Sequence, residues 1–402
     1  MMTKERPILI VIGNYKNGGN AKQASVLANG FAILGINVTI IVTKEISEKS
    51  FFELNQNVSL VDINHCDELG STKEYKRFLN KLAANLRVKK IIAKLYRNST
   101  KKRMINFSVS KMRNHKKLNW IISRYHNPII IPLGLEYAVN VYGVTNRNSD
   151  IILATKTYAE GEVKFIDKDI AKSVLCGMNC VVCQTHYTKD YFKNMGVTNL
   201  EVIYNPLIMD VLPYNGNKSK RIVNFCRISR EKNLELLIDA FSKLYKQFPE
   251  YSVEIYGNVI NEQEKKYKRE LLNKISALNL SEAIKIHPAV KNIHDIIQDA
   301  AMFISTSNFE GLSNSMIEAM ALGIPCICTD CDGGGAREMI EDGVNGLLVP
   351  KGDVESLYEA MLQFAENEQF AAECGKRAID VRNKTSVDTV IKQWNSVIEQ
   401  YC

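Results

Sequence analysis

The sequence predicts an α/β protein built from two doubly wound parallel-sheet domains. Three observations carry this. At 402 residues the chain exceeds what one hydrophobic core organises. Short apolar runs of strand length alternate with helix-length amphipathic segments from one end to the other. The alternation breaks once, at NPLIMDVLPYNGNKSK (205–220), where periodicity is lost and two prolines and a glycine appear. That break sets the expected division: a first domain over 1–208, a second over 209–385, and a last helix, 386–402, packing back on the first.

PILIVIG (7–13) has the continuous apolar character of a strand buried on both faces. The turn NGGNAK leads into a helical pattern from about Asn20 to Leu34, stopped by Gly35, and NVTIIVT (37–43) follows as a strand. Such a strand-turn-helix-strand unit binds ligands at the carboxyl ends of its strands. Gly18 and Gly19 are candidate donor-side residues here, although two glycines also simply make a bend. Further strands are expected at 128–133, 151–155, 180–184 and 200–204.

The second alternation opens with RIVNFCRIS (221–229). Its helix carries apolar residues at 234, 237, 238, 241 and 244, one face of a 3.6-residue period. YSVEIYG, a charged helix over 262–278, IKIHP, a helix near 292–300, MFIST, a helix after Ser313, IPCICTD and GLLVP continue it. VDTVIKQWNSVIEQYC closes the chain as an amphipathic helix.

Composition narrows the function classes. With 46% hydrophobic and 24% charged residues the chain is ordinary globular protein. No apolar run reaches the roughly 18 residues of a membrane span, and the start is a poor signal peptide, so the expectation is cytosolic. Ten cysteines are too few for a disulfide scaffold, and several lie inside strand-like runs. Cys176, Cys180 and Cys183 lack a second ligand pair at metal-site spacing and read as thiols.

The net charge of +8 is local. Residues 72–125 hold 17 of the 52 Lys/Arg and one of the 44 acids, leaving 35 basic and 43 acidic residues elsewhere. KRFLNKLAANLRVKKIIAKLYRN carries an apolar stripe with Tyr75, Phe78, Tyr96, Phe107 and Trp120 interspersed along the segment. That mix suits an interfacial helix on an anionic membrane leaflet, or a solvated basic face over an ordinary core side. No nucleic-acid-binding module accompanies the charge.

The informative stretch is FISTSNFEGLSNSMIEAMALGIPCICTD (303–330): a strand, a polar loop with Gly311 and Leu312, a helix capped by Ser313, a stop at Gly323 and another strand. Small loop residues and a helix N-terminus offer backbone N–H groups to a diphosphate. Glu310 and Glu318 supply two carboxylates, one suited to ribose hydroxyls and the other to sugar hydroxyls. Two glutamates eight apart mean nothing alone; their setting gives them meaning.

Here the chain resembles the family 4 glycosyltransferases, retaining enzymes of the GT-B fold with two Rossmann-like domains and a cleft between them. The Glu310…Glu318 spacing followed by AMALGIPCICTD matches the family's Glu-x7-Glu signature. FCRISREKNLELLIDAF is similar to its Gly-Arg-x4-Lys-Gly/Asn stretch, with Cys226 where the family usually has Gly. GGGAREMIEDGVNGLLVP resembles the segment closing the donor domain. NGGNAK stands where the family has a Gly-Gly-Ala-Glu-Arg turn, departing at Asn20 and Lys22. The likeness is specific over about 200–355 and topological over 40–150.

The resemblance implies a nucleotide-sugar donor, UDP-linked by preference, and a glycan or lipid-linked glycan acceptor in surface polysaccharide synthesis; the alternatives are a non-catalytic glycan- or lipid-binding subunit and a nucleotide-sugar epimerase of the same fold. It places Arg227 and Lys232 on the donor diphosphate beside Glu310 as the catalytic group. Glu318, Gly311, Leu312, Ser313, Ala289 and Val290 become donor-binding, the last two near the base. His287 and His294 read as structural. From the first domain, Glu136, Lys156 and His186 follow expected strand ends and are acceptor-side candidates, whereas His126 precedes its strand. Charge supplied by Arg227, Lys232 and a helix N-terminus removes the need for a metal, so no cofactor is expected.

Overall fold

A computed structural model describes residues 6–16, 19–46, 52–64, 117–143, 149–164, 166–209 and 219–401. Gly18, most of the basic segment and part of the 205–220 break lie outside these residues. Two compact units emerge: residues 1–184, 188–206 and 387–402 form one, and 185–187 with 207–386 form the other.

The first unit is built on seven parallel strands: β1 Ile8–Tyr15, β2 Val38–Ile46, β3 Val58–Asp62, β4 Ile129–Pro132, β5 Asp150–Ala154, β6 Cys180–Cys183 and β7 Leu200–Val202. Their order is β3-β2-β1-β4-β5-β6-β7, and every pairing is parallel. The apolar run of β1 is explained by its two covered faces: Leu9 and Val11 enter one core cluster, Ile8, Ile10 and Ile12 the other. On the second face lie the helices Gly19–Ile33 and Val387–Glu399, joined by the edge-to-face pair Phe31 and Trp394 at 6.4 Å.

β3 went unread in the sequence. VSLVD is partly exposed at the sheet edge, so it lacks the apolar run by which its neighbours are recognised. The described end of the basic segment also departs from expectation. Leu118, Trp120, Ile121 and Ile122 are buried in the first unit's core, and Tyr125 Oη lies 3.0 Å from Thr39 Oγ1. Trp120 is thus a core residue, not an interfacial one. No helix among the described residues is long and apolar enough to cross a membrane.

The second unit holds β8 Arg221–Phe225, β9 Ser252–Tyr256, β10 Ile284–His287, β11 Met302–Ser305, β12 Cys326–Asp330 and β13 Leu347–Pro350. All pairings are again parallel, in the order β10-β9-β8-β11-β12-β13. The helix Leu234–Leu244 buries the five residues of its periodic stripe, together with Leu236 and Ala240. Each buried Leu, Ile or Phe side chain among them contributes about 1.5–3 kcal/mol. In both sheets the order reverses beside the first strand, between β1 and β4 and between β8 and β11. Ligands of open α/β sheets bind at such reversals, outside the carboxyl ends of the strands.

Candidate functional site

At the reversal in the second unit, the segment leaving β8 carries Arg227 and Lys232, and the loop leaving β11 carries Glu310. Lys232 Nζ is ion-paired with Glu310 Oε2, both side chains largely buried. Ser307 Oγ donates to the same carboxylate at 3.2 Å. Burial opposes the Lys232 charge, yet Glu310 outweighs it and holds the ammonium above its ordinary range. Arg227 is half-exposed and pairs with Glu231, with Glu264 3.5 Å from its Nε. Cys226, the departure from the family pattern, is a partly buried thiol pushed up to about 12 by burial, so it adds no charge beside Lys232.

The Glu310 loop is tied on both sides. Thr306 Oγ1 donates to the Lys232 carbonyl at 2.9 Å, and the Asn308 N–H to the Glu231 carbonyl at 2.8 Å. On the other flank the Glu310 N–H donates to the Asp332 carbonyl at 3.1 Å, and Thr329 Oγ1 to the Ser307 carbonyl at 2.7 Å. Gly335 closes this flank: a Cβ there would stand 1.7 Å from the Gly311 carbonyl oxygen, so only glycine permits the approach. Sequence reasoning gave Gly335 no role, because its steric partner lies 24 residues away.

Ser313 caps the helix Asn314–Ala321, its Oγ accepting the Met316 N–H at 3.4 Å, while Gly311 and Leu312 lead into the cap. Glu318 lies on that helix, and His294 Nε2 is 3.1 Å from its Oε2. Ala289 and Val290 are exposed on the loop leaving β10, where the Ala289 N–H donates to Asn258 Oδ1 at 3.1 Å. Gly257 allows this strand end to close, since a Cβ there would meet the Cys226 carbonyl oxygen at 2.0 Å. The structure therefore brings Arg227, Lys232, Glu310, Gly311, Leu312, Ser313 and Glu318 to neighbouring strand ends of one unit.

In the first unit Glu136 and Lys156 meet, Nζ to Oε1 at 2.9 Å, beyond the ends of β4 and β5. The Lys156 ammonium also sits 4.9 Å from the Tyr137 ring centroid. Burial works to raise the Glu136 pKa, but Tyr137 and Lys156 together hold it below the usual carboxylate value. Gly13, ending the apolar run of β1, makes room for Tyr137, whose hydroxyl would lie 2.1 Å from a Cβ at that position. His186 does not join this group. It is counted with the second unit, where its Nδ1 is 2.8 Å from Glu338 Oε2. Gly19 begins the first helix; its partner Gly18 lies outside the described residues.

Sequence reasoning missed Glu162. This buried carboxylate accepts the N–H groups of Leu135 at 2.8 Å, Lys156 at 2.6 Å and Thr157 at 3.1 Å, so it fixes the chain where β4 and β5 end. Sequence reasoning also counted the lack of an Asp-x-Asp motif as a sign of metal independence, which is wrong: the chain holds two such triplets. Asp167 of Asp167-Lys168-Asp169 caps a helix. In Asp330-Cys331-Asp332, Asp330 pairs with Arg337 at 2.5 Å and Asp332 with Lys351 at 2.6 Å. Cys180 and Cys183 belong to the cores on opposite faces of the first sheet, a separation unsuited to a shared metal. Among the described residues no three His, Cys, Asp or Glu side chains are grouped to hold an ion.

Comparison with known proteins bears on the half of the chain that holds this constellation. Residues 214–381 match the family described as Glycosyl transferases group 1. The matched residues lie within the second unit and make up most of it. Over 198 residues, 49% of its length, the chain is 30% identical to the poly(glycerol-phosphate) alpha-glucosyltransferase of Bacillus subtilis (strain 168), covering 28% of that protein. Over 189 residues, 45% of this chain and 49% of the relative, the chain is 29% identical to the N-acetylgalactosamine-N,N'-diacetylbacillosaminyl-diphospho-undecaprenol 4-alpha-N-acetylgalactosaminyltransferase of Campylobacter jejuni. The matches thus span less than half the length of either curated relative.

Among solved structures, Anabaena Alr3699/HepE, determined in complex with UDP, superposes with a TM-score of 0.72 at 17% identity, covering 98% of this chain and all of the other. At that identity the likeness is one of fold, and the fold is GT-B: two parallel-sheet α/β units. The Glu310–Glu318 loop-helix and the Arg227–Lys232 stretch both fall inside the matched residues.

Proposed function

We propose that this chain is a retaining glycosyltransferase. It moves a hexose or N-acetylhexosamine from a nucleotide-diphosphate sugar, UDP-linked by preference, to a glycan or lipid-linked glycan in cell-surface polysaccharide synthesis. One observation carries the reading. Lys232 and Glu310 meet where the strand order reverses between β8 and β11, beside the Ser313-capped helix start. The poly(glycerol-phosphate) and the diphospho-undecaprenol-linked sugar in the relatives' names support the acceptor class, and the UDP complex of a structural neighbour supports the donor class.

The chemistry follows from the charges. As the bond between sugar C1 and the diphosphate oxygen breaks, negative charge gathers on the leaving diphosphate. Lys232, Arg227 and the helix N-terminus meet that charge. The acceptor oxygen bonds to C1 on the same face, and its proton passes to the leaving phosphate oxygen, so configuration is retained without a protein nucleophile. Glu310 receives sugar hydroxyls and Glu318 the ribose, while Ala289 and Val290 border the base. Because protein cations neutralise the diphosphate, the reaction needs no divalent ion. On the acceptor side the Glu136–Lys156 pair is the contact we assign. The basic segment 72–125, through its part before residue 117, brings the enzyme to the anionic inner face of the membrane.

Transfer assays over a panel of nucleotide sugars test the reading. Arg227→Ala and Glu318→Ala are each expected to lower donor affinity or turnover at least tenfold, and wild-type behaviour in both overturns the site. Proton NMR of the product reads retention directly from the anomeric coupling.

A further inference from the structure

The contact between His294 and Glu318 joins two parts of the second unit that the donor reading keeps separate. Glu318 belongs to the helix leaving the β11 loop. His294 belongs to the short helix Ile293–Ile297, reached from β10 through the loop that holds Ala289 and Val290. Their contact, 3.1 Å from Nε2 to Oε2, is largely shielded, with side-chain exposures of 21% and 13%. A carboxylate only accepts hydrogen bonds, so the imidazole donates from Nε2.

We infer that His294 is a positioning residue for ribose recognition, holding the Glu318 carboxylate in the orientation that receives the 2′,3′-diol of the donor nucleotide. This rests on the reading of Glu318 as the ribose contact. A glutamate side chain has three rotatable bonds, and a diol is received well only when the carboxylate plane is fixed in advance. The backbone around Glu318 is set by its helix, but the carboxylate end is held by His294. The geometry also follows the order of the ligand: the loop from Ala289 to His294 runs from the proposed base contacts to the ribose carboxylate. In a nucleoside diphosphate the ribose stands between base and diphosphate. An imidazole kept merely to pack the short helix would bear on the fold of that helix and not on the diol.

The test compares binding of UDP and of 2′,3′-dideoxy-UDP by calorimetry in four full-length proteins: wild type, His294→Ala, His294→Gln and Glu318→Ala. Wild type should prefer UDP at least tenfold. In His294→Ala that preference should fall to about threefold or less, while affinity for the dideoxy nucleotide stays within about twofold. His294→Gln, whose amide N–H can replace the Nε2 donor, should recover most of the preference. Full discrimination in His294→Ala overturns the inference while leaving the donor reading intact, provided Glu318→Ala abolishes discrimination. If Glu318→Ala also discriminates fully, or wild type does not discriminate, the ribose role of Glu318 itself is wrong and the inference falls with it. Equal loss of affinity for both nucleotides in His294→Ala marks a structural role and overturns the inference too.

Discussion

Glu162 Oε1 accepts the backbone N–H of Lys156 at 2.6 Å, so a buried carboxylate fixes the residue whose ammonium pairs with Glu136. Its three N–H donors require acceptor oxygens on both sides of the carboxyl group. Glu162→Gln turns one of these oxygens into a donor facing a donor. The expected loss is about 1–3 kcal/mol of stability, the usual cost of one buried polar group left unsatisfied. Urea unfolding measures it. Burial raises the Glu162 pKa above 4.5 despite those donors. The folded chain therefore holds this proton more tightly than the unfolded chain, and the resulting stabilisation is complete below about pH 4.5. It is lost as pH rises through the raised folded value.

Lys232 and Glu310 make the second prediction. Lys232→Met strips the diphosphate of a cation and leaves Glu310 without its ammonium. Donor KM should rise at least tenfold, and stability should fall by about 1–3 kcal/mol, less than for a fully buried pair because both side chains keep some exposure. The pKa of Lys232 is raised from 10.5, so the pair's contribution to stability is full below that pH and declines above it. Any alkaline loss of donor binding seen between pH 7 and 10 then belongs to another group. Comparing wild type with Lys232→Met over that range separates the two.

Much of this site was legible because its determinants are local in sequence. The run from Phe303 to Asp330 spells a strand, a loop, a capped helix and a strand in order, and β11, the helix after Ser313 and β12 occupy those places. The stripe at 234, 237, 238, 241 and 244 was readable for the same reason. What escaped depends on partners distant in the chain. Glu162 sits in AEGEV and reads as a solvated helix glutamate; only folding brings the N–H groups of Leu135 and Lys156 to it. Gly335 is one of three consecutive glycines until the Gly311 carbonyl closes on it. β3 is half exposed, and its parallel register with β2 gives it a place that its own residues do not announce.

Gly335→Ala tests how rigidly the Glu310 loop is held. A methyl group 1.7 Å from backbone cannot be relieved by a rotamer change, so the Gly311 segment has to move. The expected result is a folded protein about 1–3 kcal/mol less stable, with turnover reduced at least tenfold. Gly343→Ala provides the contrast. It strains a positive φ of 72° but meets nothing within 4 Å, so it should cost stability alone and leave turnover near wild type.

Metal dependence separates the proposed chemistry from that of metal-assisted transferases. With Lys232 and Arg227 placed to meet the diphosphate, EDTA should leave the transfer rate within about twofold, and added Mg²⁺ or Mn²⁺ should not raise it further. Asp330 and Asp332, although an Asp-x-Asp pair, are engaged with Arg337 and Lys351. Asp330→Asn should therefore lower stability slightly, by about 0–1 kcal/mol as for exposed pairs, without abolishing transfer. Inactivation by EDTA, restored by a divalent ion, would show that the diphosphate is neutralised by a metal in addition to the protein cations.

The basic segment makes the last prediction. Its described end, with Trp120 at 7% exposure, belongs to the core of the first unit, so the proposed membrane attraction falls to the 72–116 part. That part holds 15 of the segment's 17 basic residues. Each cation near an anionic surface contributes on the order of 1 kcal/mol, and the attraction is screened within about 10 Å at 0.1 M salt. Flotation with vesicles containing anionic lipid should therefore carry the protein upward at low salt and release it near 0.5 M. Vesicles of neutral lipid should leave it behind at either salt. Replacing Lys89, Lys90, Lys94 and Arg97 by Gln should weaken flotation at least tenfold while transfer to a soluble acceptor continues. Equal binding to neutral vesicles would mean that apolar insertion, not charge, holds the protein to the membrane.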